Sequence, residues 1–203
     1  MNVHIVAIYR VIACLFLWGL TIYMLVQSPL LSFVYFTKWG VLVTTITYTF
    51  LCAFHVRQYV CLRTKESLLK NYRNFYSPWL LWKWAIISYE SAFTFEVVIV
   101  LFYWAVLYPD QDHTEEGFYV NNVLLHAMPM IILLIDYGIN RVPFKMVHLP
   151  VSIFLMLAYG IVNLSYTIST GTPVYPPLNF KDAMSYVWIV VLALLETATY
   201  LLM

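Results

Sequence analysis

The segment Trp84–Tyr108, WAIISYESAFTFEVVIVLFYWAVLY, decides the fold class. It is longer than the roughly 20 mostly apolar residues that a helix needs to cross a bilayer. Its only charged residues are Glu90 and Glu96. Polar and apolar residues do not alternate along it, which favours a spanning helix over a strand of a membrane barrel. The segment therefore predicts an all-α integral membrane protein.

Five further segments share this apolar character on either side of it. The six predicted spans cover residues of about 6–26, 33–55, 84–108, 119–138, 144–167 and 183–203. Over the 203 residues, 63% are hydrophobic and only 10% are charged, whereas a soluble domain carries about 25% charge. We therefore expect one transmembrane domain over residues 1–203, a bundle of six helices with almost no soluble part.

Composition also limits the partners and cofactors. The net charge of +1 provides no basic field for nucleic acid. The three cysteines, Cys14, Cys52 and Cys61, form no CxxC pair, so neither a disulfide framework nor a zinc site is predicted. We expect no metal and no cofactor. The expected partners are membrane lipids and other membrane proteins.

Lysine and arginine are concentrated in two of the predicted loops, 56–83 and 139–143, with Lys145 at the edge of the second. The alternate loops hold few or none, and the loop 109–118 is acidic. Because basic loops stay in the cytoplasm, this pattern predicts a multi-pass protein with both termini cytoplasmic. It does not distinguish the plasma membrane from an endomembrane.

Ionisable residues inside spans are costly and are by default functional candidates. They are Arg10, Lys38, Glu90, Glu96, His126, Asp136 and Glu196. We expect a structural ion pair between Arg10 and Glu90, while the partners of Glu96 and Glu196 stay open. A proton-coupled transporter that uses these two acids is one interpretation, but the paired broken helices typical of transporters are not evident.

Thr37 and His126 form the most specific candidate pair. At ~1.5 Å of rise per residue, their predicted depths differ by only about 5 Å, so they could meet in one half of the bundle. A threonine hydroxyl beside a general base is sufficient for acyl transfer. Equally, most membrane threonines bond their own helix backbone or a neighbouring helix.

Three further residues could assist such a pair. Asn122 and Asn163 could orient the imidazole or hold an oxyanion, although helix–helix hydrogen bonds are the simpler explanation for both. Lys38 could attract a substrate carboxylate, or it could be an anchor that extends to the membrane surface.

An ordered set of residues in matching helices and loops carries a family resemblance over residues 33–190. The set is Phe36-Thr37-Lys38-Trp39-Gly40, His126, Pro129, Ile135-Asp136, Asn140-Arg141-Val142-Pro143, His148, Tyr159-Gly160, Tyr166, Gly171, Tyr175-Pro176 and Leu178-Asn179-Phe180. It resembles the androgen-induced family of multispanning membrane proteins, closest to its rolling-stone branch. The resemblance implies a threonine hydrolase of fatty acid esters of hydroxy fatty acids, with the nucleophile at Thr37 and the histidine at His126. The rolling-stone branch itself is associated with myoblast fusion and membrane organisation.

Two functions from different classes follow. The first is a membrane-embedded lipid-ester hydrolase, with Thr37 as nucleophile, His126 as base and a lipid ester as substrate. Its acyl chains would occupy a pocket lined by Phe33, Phe36, Val123 and Ile161. The alternative is a non-enzymatic scaffold or an accessory subunit of a membrane complex, with a role in adhesion, fusion or assembly.

Overall fold

The computed structural model describes residues 3–29, 31–63, 78–111, 117–140 and 142–203. All regular structure in these residues is helical, and six helical spans are long and apolar enough to cross a membrane, which confirms the all-α, multi-pass prediction. The α-helices, numbered along the chain, are α1 (Val3–Gln27), α2 (Phe36–Arg63), α3 (Pro78–Phe102), α4 (Phe118–His126), α5 (Met128–Asn140), α6 (Leu149–Thr170) and α7 (Ala183–Leu202).

Three spans depart from a regular α-helix. The fifth span begins with a 3₁₀ turn, Met146–His148, which leads into α6. The third span continues past α3 through a π-helical turn, Tyr103–Leu107, and a 3₁₀ turn, Tyr108–Asp110. The fourth span, predicted as one helix over 119–138, is the two helices α4 and α5, which are separated at Ala127. The break has a local cause, because Pro129 has no N–H to donate to the carbonyl four residues earlier.

The third span lies at the centre of the bundle. Its most apolar window is 56% buried, against 17–39% for the other five spans. Helices α1, α2 and α5 share one apolar core with α3, and α6 and α7 also contact α3. The small residues Ala85 and Ala92, both fully buried on α3, allow this close packing.

The ion pair predicted between Arg10 and Glu90 is wrong. Arg10 instead donates from Nε and Nη2 to both carboxylate oxygens of Asp136, at 2.8 and 2.9 Å, and its Nη1 lies 2.9 Å from His55 Nε2. Glu90 accepts a hydrogen bond from the Tyr200 hydroxyl. Both carboxylates are fully buried, so each needs the partner that packing places against it.

The two remaining intramembrane acids also contact hydroxyl groups. Thr44 donates to Glu96 at 3.3 Å, and Ser152 donates to Glu196. Gly40 permits α2 to approach Glu96 closely, because a Cβ at this position would lie 2.6 Å from Glu96 Oε1. The same Cβ would lie 2.3 Å from Ile99 Cδ1, so a side chain at position 40 would require the Ile99 and Glu96 side chains to move.

Candidate functional site

Thr37 and His126 meet at one end of the bundle, which we call the Thr37 end. A short 3₁₀ turn, Leu31–Val34, leads the chain into α2, so that Thr37 lies in the first turn of this helix. Its side chain is buried, and its Oγ1 lies 3.2 Å from Nδ1 of His126. His126 is the last residue of α4. The structure therefore places a threonine hydroxyl within hydrogen-bond distance of an imidazole.

The His126 ring is held in place by Tyr103. The two rings stack with their centroids 3.4 Å apart and their planes at 5°. Tyr103 is the first residue of the π-helical turn, and its own hydroxyl donates to Gln111 Oε1 at 3.0 Å. Single π-helical turns are frequent at functional sites. This one fixes the plane of the imidazole while leaving its edge directed at Thr37.

A cavity of about 330 Å³ lies beside Thr37, between the ends of α3, α6 and α7. Apolar side chains form most of its wall, among them Val98, Phe102, Met156, Leu164 and Leu192. Of the four residues predicted to line a pocket, Phe36 and Ile161 do so, while Phe33 and Val123 are not part of the wall. Thr37 and Tyr103 also face the cavity, and His126 lies behind these two residues.

The cavity opens sideways, between α6 and α7. Three residues of its wall are also exposed on the outside of the bundle: Leu157 at 60%, Ile161 at 66% and Tyr186 at 58%. These positions belong to spans that are long and apolar enough to contact lipid. An apolar molecule could therefore enter from within the plane of a bilayer rather than from water.

Two tyrosine hydroxyls make the end of the cavity near Thr37 polar. The Tyr175 hydroxyl accepts a hydrogen bond from the backbone N–H of Phe36 at 2.9 Å. The Tyr159 hydroxyl donates to the carbonyl of Val34 at 3.1 Å. Burial raises the pKa of Tyr175 above its ordinary value, so its phenol stays protonated at neutral pH.

The two candidate asparagines do not contact His126. The Asn122 amide donates to the Phe118 carbonyl of its own helix at 2.9 Å. The Asn163 amide donates to the Tyr159 hydroxyl at 2.9 Å, although Asn163 is almost completely buried at the expected end of the bundle. Asn163 therefore supports a tyrosine of the cavity wall and not the imidazole.

Lys38 is directed away from the cavity. Its Nζ donates to the Ser28 hydroxyl at 2.8 Å and lies 5.4 Å from the centre of the Tyr35 ring. Lys38 is not part of the cavity wall. This position suits an anchor at the connection between α1 and α2 better than a contact with a substrate carboxylate.

Sequence reasoning missed the tyrosines of the site. Tyr103 gives no local signal, because the π-helical turn that orients it depends on the packing around it. Tyr175 had a signal, since Gly171, Pro173 and Pro176 mark its loop as stiff. A stiff loop beside the end of a span can hold a side chain over a site, and Tyr175 occupies such a position.

Comparisons with known proteins return no match. No protein-family model fits the chain, and no curated protein or solved structure is significantly similar to it. The geometry at the Thr37 end is therefore the structural observation from which a function can be argued.

Proposed function

We propose that this protein is a membrane-embedded hydrolase of long-chain lipid esters. The observation that carries the proposal is the 3.2 Å contact between Thr37 Oγ1 and His126 Nδ1 at the wall of an apolar, laterally open cavity. A hydroxyl bound to an imidazole is the minimum apparatus for nucleophilic acyl transfer. The resemblance to the androgen-induced family, which includes threonine hydrolases of fatty acid esters of hydroxy fatty acids, supports the same assignment.

The proposed proton transfers pass between Thr37, His126 and the ester. A neutral imidazole with its proton on Nε2 accepts the Thr37 proton at Nδ1 while Oγ1 attacks the ester carbonyl carbon. The bond between this carbon and the alkoxy oxygen then breaks, and Nδ1 returns the proton to the leaving alkoxide. Water then attacks the acyl carbon while the same nitrogen takes a proton from it. The bond between this carbon and Thr37 Oγ1 breaks, Nδ1 returns the proton to Oγ1, and a carboxylic acid is released. No metal or cofactor takes part in these steps.

The composition of the cavity wall supports a proposal about which part of the substrate is buried. The described wall contains no lysine, arginine, aspartate or glutamate, so a charged headgroup would lose hydration without gaining a partner. An acyl chain fits this wall, with the ester carbonyl at the polar end beside Thr37. We therefore propose an uncharged acyl chain inside the cavity and the alcohol portion of the ester directed away from it.

Two substitutions test the proposal in the purified full chain, in detergent or in vesicles. Thr37→Ala removes the nucleophile, and His126→Ala removes the base. With 4-methylumbelliferyl palmitate as the substrate, each should lower kcat by more than about 10³-fold, as expected when members of one catalytic unit are removed. Labelling of Thr37 by a fluorophosphonate probe should disappear in Thr37→Ala.

Thr47→Ala is a matched control. Thr47 is also a buried threonine on α2, but its hydroxyl donates to the Val43 carbonyl of its own helix at 2.9 Å. We expect this variant to keep wild-type hydrolysis and labelling. If Thr37→Ala and His126→Ala also hydrolyse the ester at the wild-type rate, the hydrolase mechanism is excluded and a non-enzymatic role in a membrane complex becomes the better explanation.

A further inference from the structure

The Tyr175 hydroxyl is fixed next to the proposed nucleophile. It lies 2.9 Å from the backbone nitrogen of Phe36, the residue immediately before Thr37. Its ring makes edge contacts with Tyr35 and Phe102, with ring centroids 6.4 and 6.1 Å away. Tyr175 and Thr37 both line the cavity. The loop between α6 and α7 thus places the Tyr175 hydroxyl where a substrate carbonyl would react.

The hydrogen bonds around the Tyr175 hydroxyl show whether its proton is available to a substrate oxygen. Tyr175 accepts the Phe36 N–H, so its own O–H proton is not used in that bond. The Tyr175 hydroxyl also contacts the hydroxyls of Thr37 and Tyr159. Tyr159 donates its own proton to the Val34 carbonyl, and Thr37 donates to His126 Nδ1 in the tautomer that carries its proton on Nε2. Of these three hydroxyls, Tyr175 is therefore the one whose proton can turn towards an oxygen arriving at Thr37.

We infer that the Tyr175 hydroxyl donates the hydrogen bond that stabilises the oxyanion formed when Thr37 attacks an ester, an inference that rests on the proposed function. A donor fixed in a water-poor site stabilises a developing negative charge strongly, because it needs no reorganisation during the reaction. Tyrosine can serve in this way while its phenol remains protonated. The positive end of the α2 dipole lies at the same point, because Thr37 is in the first turn of this helix.

This assignment also explains the role of Asn163. Its amide donates to the Tyr159 hydroxyl at 2.9 Å, and Tyr159 in turn contacts Tyr175. Asn163 is therefore a positioning residue that acts through the two tyrosines, not an oxyanion donor itself. Asn122, which is bonded to its own helix, has no part in the arrangement.

The test is Tyr175→Phe in the full chain, assayed with 4-methylumbelliferyl palmitate and normalised to the folded protein recovered by size exclusion. Phenylalanine keeps the ring contacts and removes only the hydroxyl. We expect kcat to fall by about 10²–10³-fold with little change in KM, the loss typical of one oxyanion donor. Tyr119→Phe is the matched control, because it makes the same change at an exposed tyrosine that is not part of the cavity wall and should keep wild-type kcat.

A second variant covers the case in which Tyr175→Phe does not fold. Incorporation of 3-fluorotyrosine at position 175 keeps the hydroxyl but makes the phenol more acidic. The fall of kcat at alkaline pH, where the phenol loses its proton, should then begin at a lower pH than in wild type. A profile that does not move would overturn the inference, since a purely structural tyrosine would not report its ionisation in kcat.

The outcomes separate this inference from the proposed function. If Thr37→Ala abolishes hydrolysis and Tyr175→Phe keeps wild-type kcat, the oxyanion role is wrong and the hydrolase stands. A change confined to KM or to the thermal midpoint of Tyr175→Phe would also overturn the role. If Thr37→Ala hydrolyses normally, the proposed function fails, and the inference fails with it.

Discussion

The buried Arg10–Asp136 ion pair provides a sharp test of how the bundle is held together. Arg10 is 3% exposed and Asp136 is 0% exposed, and two N–H donors meet the two carboxylate oxygens at 2.8 and 2.9 Å. Removing one partner leaves a buried charge without compensation, which costs about 3–5 kcal/mol. Replacing both partners with apolar residues of similar size removes the buried charges and is often neutral or stabilising.

We therefore expect Arg10→Met and Asp136→Leu each to lower the free energy of unfolding by about 3–5 kcal/mol. For a chain of this length, that loss lowers the thermal midpoint by roughly 6–20 °C. The double variant should recover most of the loss and unfold within a few degrees of wild type. The assay is thermal unfolding of the detergent-solubilised chain, followed by reaction of the partly buried Cys14 and Cys52 with a maleimide dye.

Lys145→Met is the control, because it removes an exposed cation and should change the unfolding free energy by less than about 0.5 kcal/mol. Single variants as stable as wild type would show that Arg10 and Asp136 do not compensate each other in the folded bundle. A double variant that loses as much as both single variants together would refute the reasoning equally, because the two losses would then be independent.

Two further predictions concern helix packing and a helix cap. Gly40→Ala should lower the unfolding free energy by about 1–3 kcal/mol and reduce hydrolysis, because its Cβ would clash with Glu96. Gly19→Ala is the control. Its Cβ would meet no atom within 4 Å, so this variant should be neutral or slightly stabilising. The hydrogen bond from the Asn179 amide helps to hold the pKa of Asp182, the N-cap of α7, below its ordinary value. Its contribution to stability is therefore present above about pH 3.9 and is lost as the pH falls through the lowered pKa. Asp182→Ala should lower the thermal midpoint at neutral pH, and a deficit that does not shrink below about pH 4 would contradict this assignment.

Hydropathy and length were sufficient to predict the number of spans, because a bilayer requires long apolar helices whatever their partners. Depth was also predictable, since a constant rise per residue places Thr37 and His126 near the same level. Neither argument depends on how a helix is rotated about its own axis.

The sequence does not predict how each helix is rotated about its own axis. A helix that is apolar on every side, such as α3, does not show which face meets which neighbour. Depth alone predicts that Arg10 pairs with Glu90, whereas helix packing places Arg10 against Asp136. Asn163 also lies at a suitable depth but faces Tyr159. Tyr175 was missed because the contact of its loop with α2 is a tertiary contact that joins distant parts of the chain.

The break between α4 and α5 bears on how His126 could carry a positive charge, since no carboxylate of the described residues is bonded to its ring. His126 ends α4, and the carbonyl groups of a last helical turn form the negative end of the helix dipole. Because Pro129 has no N–H, the Leu125 carbonyl loses its usual helical donor and strengthens this negative potential. An imidazolium formed during the proposed acyl transfer would be stabilised there by about 0.3–1 kcal/mol. The backbone itself would then supply part of the charge compensation that an aspartate provides in a catalytic triad.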